Sequence, residues 1–147
     1  MTKTFSRIVE TVADFFLIFI IVFGIYIITH GHLTPGGGFQ GGVVLAAGIL
    51  LLLVAHGFSF ARKIPEELLS DLEAIGGIAF ILLASLGFGQ SFFYNILWHE
   101  KLAFAEQVGR FFSGGAIPLM NLSVGLKVVA GITSGMFARS LFGGEES

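Results

Sequence analysis

Four long apolar runs constrain the fold of this chain more than any other feature. They cover roughly residues 12–29, 42–61, 74–93 and 117–141. A helix needs about 20 residues to cross the hydrocarbon core of a bilayer, and in lipid only helices and closed barrels satisfy every backbone group. The stretch Phe15–Ile28 holds no charged residue. The runs therefore predict an all-α integral membrane protein with four transmembrane helices.

The composition agrees with this class. Hydrophobic residues make up 54% of the chain and charged residues only 12%, whereas a soluble domain carries about 25% charged residues. The formal net charge of −2 does not suggest a nucleic-acid partner, and the absence of cysteine excludes disulfides and thiolate chemistry. The four histidines form no metal-binding pattern. We expect one membrane domain over residues 1–147, with no catalytic residue, metal site or cofactor of its own.

The distribution of Lys and Arg predicts the orientation in the membrane. Four spans place both termini on one side, and that side would carry five basic residues: Lys3, Arg7, Arg62, Lys63 and Arg139. The other side would carry Lys101 and Arg110. Five against two predicts that both termini are cytoplasmic. The connection between the first and second runs then lies on the outer side.

That connection is rich in glycine, with six glycines among residues 31–42. Backbone of this kind cannot face lipid unpaired, so it must lie at the membrane edge, be buried in other protein or line a wet cavity. Glycine also permits positive φ and close backbone approach. The segment is therefore a candidate functional loop. Its residues of interest are Gly31, His32, Pro35, Gly36, Gly37, Gly38, Phe39, Gly41 and Gly42.

Lys127 lies about ten residues into the fourth run. A lysine near the middle of a membrane costs a few kcal/mol on insertion scales, so something must offset its charge. One interpretation is an internal polar path or a buried ion pair, whose acid can lie on another chain. The alternative is snorkelling of the amine to the interface.

Five further polar residues are candidates for an ion path. Asp14 lies near the start of the first run, where it also fits a solvated or locally paired helix end. Glu73 lies at the entrance of the third run, where it also fits a helix N-terminus, which favours acids through the macrodipole. His30 and His32 lie at the outer mouth, where an imidazole can relay protons or brace the loop by a hydrogen bond. Asn121 fits either a hydrogen bond across helices or a wet cavity.

The glycine-rich segment, Gly-His-Leu-Thr-Pro-Gly-Gly-Gly-Phe-Gln-Gly-Gly, resembles a known signature. It is similar to the GH-x-x-PGGGF-x-GG motif of the MnhB family, a small membrane component of Mrp-type multisubunit Na⁺/H⁺ antiporters. Residues 117–131 resemble the last helix of that family, and the resemblance is weakest over residues 94–116. Many bacterial members carry an acid near the place of Asn121 and an apolar residue near Lys127. These departures favour an archaeal, redox-linked branch.

The resemblance implies a non-catalytic, multi-pass subunit in a prokaryotic cell membrane, contributing to the translocation path of Na⁺ and H⁺. Its partners would be other small Mrp-type subunits, large antiporter-like subunits and the lipid bilayer. In the redox-linked branch, typified by the membrane-bound [NiFe] hydrogenase, hydrogenase-type peripheral subunits would join them. The alternatives are a subunit of a stand-alone Mrp antiporter and a purely structural scaffold. A self-sufficient channel is disfavoured, because the spans hold no paired acids at mid-depth.

Overall fold

The computed structural model describes residues 6–57, 60, 63–86, 91–95 and 114–142, and the side chains of all of these except 139–142. Within this part of the chain there are four helices: α1 (Arg7–His30), α2 (Gly38–His56), α3 (Glu66–Ser85) and α4 (Ile117–Phe142). Each is long and apolar enough to cross a membrane. The prediction of an all-α membrane protein with four transmembrane helices is confirmed.

The bounds of α3 differ most from the sequence-based expectation. The helix begins at Glu66 and ends at Ser85, whereas the apolar run suggested 74–93. Pro65 precedes it with extended backbone, and two acids occupy its first turn, where the helix macrodipole favours negative charge. The apolar run began only after the last charged residue, so it missed these two polar turns. Residues 87–90 of the expected span lie outside the described residues.

The second helix also begins earlier than expected, inside the glycine-rich segment. It starts at Gly38 rather than at 42, and it ends at His56 rather than at 61. Gly37 precedes the helix with φ 144° and ψ −167°, a conformation that is essentially restricted to glycine. The glycines thus form a sharp entry into α2 and also its first turns. Residues 58, 59 and 61 of the expected end lie outside the described part of the chain.

The helices lie in a row in the order α1, α2, α4, α3. The packing of α1 on α2, of α2 on α4 and of α4 on α3 is extensive, and α1 also touches α4 at a few points. The two central members are therefore covered on both sides. The flanking helix α1 leaves a broad apolar face exposed, with Phe15, Phe19, Val22 and Phe23 each more than half accessible. Such a face suits contact with lipid.

Glycines set the distance between neighbouring helices. A Cβ added at Gly41 would overlap Ile28 of α1 and lie 2.8 Å from the carbonyl oxygen of Gly24. A Cβ added at Gly42 would lie 2.9 Å from the carbonyl oxygen of Gly125 on α4. Small residues allow helix backbones to approach in this way. The tail of the glycine-rich segment thus contacts both neighbours of α2.

Apolar side chains hold α2, α3 and α4 together at the helix ends away from the glycine-rich loop. Leu69 of α3 and Phe137 of α4 are 5% and 2% exposed. Ile49, Leu53, Phe60 and Ile64 pack against them. This cluster joins α2, α3 and α4 at the end away from the glycine-rich loop. The helices are therefore joined differently at their two ends. Backbones are in contact near the glycine-rich loop, and apolar side chains cluster at the other end.

Candidate functional site

The side chains of Lys127 and Glu73 meet between α4 and α3. The ammonium Nζ donates a hydrogen bond to Oε1 of Glu73 at 3.1 Å. Glu73 is seven residues into α3 and Lys127 is ten residues into α4. At 1.5 Å per residue these positions are about 10 and 15 Å from the two helix starts. The ion pair therefore lies within the spans rather than at their ends.

Glycines on both helices make room for this pair. A Cβ added at Gly76 would lie 2.8 Å from the backbone nitrogen of Lys127, so α3 and α4 are in backbone contact there. The next residue, Gly77, lies beside the lysine chain, with Cδ and Nζ 3.8 Å from the position of its absent Cβ. Across the interface, a Cβ added at Gly131 would lie 3.3 Å from the carboxyl carbon of Glu73. The glycines thus bring the two helices close enough for the charges to meet.

The pair is not enclosed by the described residues. The side chains of Lys127 and Glu73 are 50% and 40% exposed, on the outward surface of the row. Charged groups at this depth in a span almost always face protein or a water-filled cavity. This face of α3 and α4 is therefore unsuited to bare acyl chains.

The interpretation of Glu73 as a residue at a helix N-terminus is wrong. The first turn of α3 holds Glu66 and Glu67, and the macrodipole effect fades within that turn. Glu73 lies almost two turns further on, where its partner is Lys127. The sequence left the acidic partner of the lysine open, and the structure places it 54 residues away on the same chain.

A second polar contact joins α1 to α2. Oδ1 of Asp14 is 3.5 Å from Nε2 of His56, with the side chains 58% and 30% exposed. The sequence suggested a solvated or locally paired Asp14, because Arg7 and Glu10 are close to it in the chain. In the structure the carboxylate instead faces the last residue of α2. No sequence pattern indicated this pairing, since it depends on how two helices cross.

The glycine-rich loop closes around Asn121 of α4. Cβ atoms added at Gly31 and Gly37 would lie 2.8 Å from its Nδ2 and 3.3 Å from its Oδ1, and one at Gly38 would overlap its carbonyl oxygen. Nδ2 is enclosed and has no hydrogen-bond acceptor among the described residues. Asn121 is six residues, or about 9 Å, before Lys127 along α4. It therefore lies between the loop and the ion pair.

The two histidines at the loop have different neighbours, since His30 contacts its own helix α1 and His32 contacts the turn before α4. The ring of His30 stacks on Tyr26 with centroids 4.3 Å apart, and its Nδ1 lies 3.2 Å from the carbonyl oxygen of Tyr26. His32 packs against Gly114, where an added Cβ would lie 3.1 Å from the histidine Cβ. Both contacts brace the loop at the end of α1. Pro35 and Phe39 lie exposed on the same loop surface.

Asn95 is a positioning residue that the sequence analysis missed. Its Nδ2 donates to the carbonyl oxygen of Gly114 at 2.9 Å, and its Oδ1 accepts from the backbone N–H of Ala116 at 3.0 Å. The side chain thus fixes the turn that leads into α4. Gly115 has φ 64° in that turn. The Gly114-Gly115 pair before a long apolar run was the available signal for a sharp turn there.

Four apolar helices in one layer, with an ion pair inside the spans and a glycine-rich loop between two of them, define a multi-pass integral membrane protein. Residues 8–134 match the model of a family described as a domain related to the MnhB subunit of Na⁺/H⁺ antiporter. The chain belongs to the MnhB family, and the resemblance seen in its glycine-rich loop is confirmed.

Named relatives agree with this assignment. The chain is 31% identical over 138 residues to the uncharacterized protein MJ1307 of Methanocaldococcus jannaschii, covering 92% of this chain and 53% of that protein. It is 31% identical over 91 residues to a Na⁺/H⁺ antiporter subunit of Bacillus subtilis, covering 62% of each. These relatives and the four apolar helices indicate a multi-pass membrane protein of a prokaryote.

A solved structure shares the fold. It belongs to the membrane-bound sulfane sulfur reductase, an archaeal respiratory membrane complex. One chain of that complex superposes with a TM-score of 0.77 at 30% identity, covering 95% of this chain and 59% of that one. The present chain thus spans between about half and three fifths of the length of these relatives.

Proposed function

We propose that this chain is a non-catalytic membrane subunit of an Mrp-type Na⁺/H⁺ antiporter module, and that Lys127 and Glu73 line its ion path. The observation that carries the proposal is the hydrogen-bonded ion pair about 10–15 Å inside two apolar helices. Ionisable residues within spans are costly, and they commonly mark ion and proton pathways. Membership of the MnhB family supports the same function.

The proposed setting is a redox-linked respiratory complex. The solved relative belongs to an archaeal respiratory membrane complex named as a sulfane sulfur reductase, which supports a respiratory assembly; the hydrogenase-type assembly remains the alternative within this setting. Partners would be other small Mrp-type subunits and large antiporter-like subunits, with Na⁺ and H⁺ as the transported ions. The Bacillus subtilis relative, an antiporter subunit by name, supports the alternative of a stand-alone Mrp antiporter.

In this proposal Glu73 is the group that meets the moving cation. The ammonium of Lys127 already donates a hydrogen bond to this carboxylate at 3.1 Å. A Na⁺ ion or a proton that reaches Glu73 would compete with the ammonium and release it. Glu73 would then exchange one positive partner for another, and the released ammonium would turn to water in the path. Asn121, His30 and His32 would form the outer mouth of the path.

Asp14 is assigned to the other end of the same path. Its carboxylate faces His56, the last residue of α2, at the helix ends away from the glycine-rich loop. The side chain of Asp14 is 58% exposed. A carboxylate and an imidazole in contact can pass a proton between them. We propose that this pair exchanges protons with the aqueous phase on the side of the chain termini. The two polar pairs lie on different helix pairs, so each can be altered without touching the other.

A purely structural scaffold is the second candidate function. The observation that favours it is the extent of glycine-mediated backbone contact among α1, α2 and α4, which gives a stiff layer. In a scaffold the Lys127–Glu73 pair would serve only to hold α3 against α4. Replacement of the pair by uncharged residues would then leave ion exchange intact.

The deciding experiment is Lys127→Met in the intact complex, with Na⁺-dependent proton exchange measured in inverted membrane vesicles. The matched control is Lys63→Met, since Lys63 lies exposed in the connection between α2 and α3. We expect at least a tenfold loss of exchange for Lys127→Met and no change for Lys63→Met, at equal amounts of assembled complex. Unchanged exchange in the Lys127 variant would refute the ion-path role and leave the scaffold.

A further inference from the structure

We propose that the face of α3 and α4 around Lys127 and Glu73 is the docking surface for a transmembrane helix of a different subunit, and that this helix presents a side-chain oxygen to the Lys127 ammonium. The proposal rests on the proposed function in one respect, which is that the chain works inside a multisubunit membrane complex. It adds the place of contact and the chemistry of the partner. The ion path would then run between two chains, with this chain forming one wall.

The ion pair is open to its surroundings in the single chain. Half of the Lys127 side chain and two fifths of Glu73 are open in the single chain, although the pair lies well inside the spans. Removing charges from water without full compensation costs several kcal/mol per ion, even after relaxation. Acyl chains offer no compensation at all. A polar cover is therefore required at this depth, and the described residues of this chain do not complete it.

Lys127 has more hydrogen-bond donors than the described residues satisfy. An ammonium carries three N–H donors and no acceptor. Glu73 takes one of them, and no other hydrogen bond to Lys127 is formed by the described residues. The partner that completes the site must therefore bring acceptors. A side-chain carboxylate, amide or hydroxyl oxygen on a helix meets this need, whereas a lipid tail does not.

The surface of α4 beside the pair is low because glycines line it. Residues 127, 131 and 135 follow one another at i, i+4 and i+8 and so share one face of α4. Gly131 is in contact with the carboxylate of Glu73. Gly135 is exposed, and no described atom lies within 4 Å of a Cβ added there. The open backbone at Gly135, about two turns from Lys127 on the same face, lets a second helix approach to backbone distance there.

The test is Gly135→Leu in the complex purified by a tag on another membrane subunit. A Cβ at position 135 meets no described atom within 4 Å, and the position is exposed, so the fold should persist with leucine there. The matched control is Ala47→Leu, which adds the same side chain at an exposed small residue of α2. We expect co-purification of this chain to fall at least tenfold for Gly135→Leu and to change less than twofold for Ala47→Leu. Equal amounts of both variants in the membrane fraction exclude a folding defect.

The chemistry of the partner is tested by placing a benzophenone side chain at position 135 and irradiating the purified complex. The proposal expects a cross-link to one membrane-spanning segment of another subunit, with an oxygen-bearing side chain within about one helical turn of the attachment point. A cross-link only to lipid, to a second copy of this chain or to a segment without such a side chain would overturn it. So would normal assembly of Gly135→Leu.

The two proposals fail in distinguishable ways. If the wild-type chain co-purifies with no other membrane subunit, both the proposed function and the proposed docking surface are wrong. If the wild-type chain co-purifies and Gly135→Leu does so equally well, only the docking surface is wrong. If Gly135→Leu detaches while Lys127→Met assembles and still exchanges ions, docking stands and the ion-path role is lost.

Discussion

Lys127 and Glu73 are 54 residues apart in the chain, and their side chains meet at 3.1 Å between α4 and α3. The contact depends on Gly76, where a side chain would collide with the α4 backbone. The ion pair and the close approach of the two helices are therefore one structural unit. The candidate site can therefore be tested by replacing either charged residue or by replacing Gly76.

The effects of removing the Lys127 charge and the Glu73 charge on the free energy of unfolding should not be additive. We expect Lys127→Met and Glu73→Gln each to destabilise the purified protein, because each leaves one charge without its partner. The double variant should be less destabilised than the sum of the two single variants, by about 1 kcal/mol for a half-exposed pair. Thermal unfolding in detergent, followed by circular dichroism, measures the three free energies. Strict additivity would show that the hydrogen bond contributes nothing to folding.

Two adjacent glycines on α3 should respond differently to the same change. Gly76→Ala would place a Cβ 2.8 Å from the backbone of α4, and such overpacking costs about 1–3 kcal/mol. Gly77→Ala would place its Cβ 3.8 Å from the lysine chain, which is an ordinary contact, and alanine favours a helix over glycine. We expect a lower unfolding temperature for the first variant and an equal or higher one for the second. The reverse order would mean that α3 and α4 do not cross at Gly76.

The entry to α2 should depend on one glycine of the loop more than on its neighbour. Gly37 has φ 144°, and an alanine there should destabilise the protein by about 1–3 kcal/mol through backbone strain. Gly36→Ala is the control, since Gly36 is not in the positive-φ region and its Cβ would meet only side-chain atoms, Cγ2 of Ile27 at 3.2 Å and Oε1 of Gln40 at 3.8 Å. Chemical unfolding of the two variants in the same detergent gives the comparison. Equal losses of stability in the two variants would show that the positive φ of Gly37 before α2 is not needed.

The turn before α4 should need both ends of the Asn95 amide. Asn95→Ala removes two hydrogen bonds, each contributing about 1 kcal/mol. Asn95→Asp keeps an acceptor for the N–H of Ala116, but it places a second carboxylate oxygen against the carbonyl oxygen of Gly114. We therefore expect the N–H of Ala116 to stay protected in the aspartate variant and to lose its protection in the alanine variant. Hydrogen exchange of the first turn of α4 reports the local effect. No difference between the variants would remove Asn95 from its positioning role.

The Asp14–His56 contact should contribute little to stability. Its atoms are 3.5 Å apart and the carboxylate is 58% exposed, so Asp14→Ala should change the free energy of unfolding by less than about 1 kcal/mol. Its proposed part in proton exchange predicts a larger effect on transport than on folding. The two measurements on the same variant separate these roles. A loss of stability above about 2 kcal/mol would mark the pair as a structural one.

Much of the fold was predictable because it follows from local physics. The number of spans follows from the length of the apolar runs and from the need to pair every backbone group in lipid. The glycine-rich segment was located between the first two helices for the same reason. The start of α3 was misplaced, because a helix can begin in polar residues such as Glu66 while the apolar run begins later.

The candidate site was predictable only in part. Lys127 was singled out because a charge inside an apolar run needs compensation, whatever the fold. Its partner was not predictable, since Glu73 reaches it only through the packing of α3 on α4. Asn121 was noticed as a polar residue in a span, but its enclosure by Gly31 and Gly37 depends on the folded loop. The contact of Asp14 with His56 was missed for a similar reason.

By itself the sequence determined that this is a four-helix membrane protein of the MnhB family, because hydrophobic length and the glycine motif are properties of contiguous residues. The tertiary structure alone decided which helices are neighbours, which acid the amine of Lys127 meets and which glycines are crowded. Those facts depend on crossing points between distant segments, and no periodicity within one helix records where another helix will cross it.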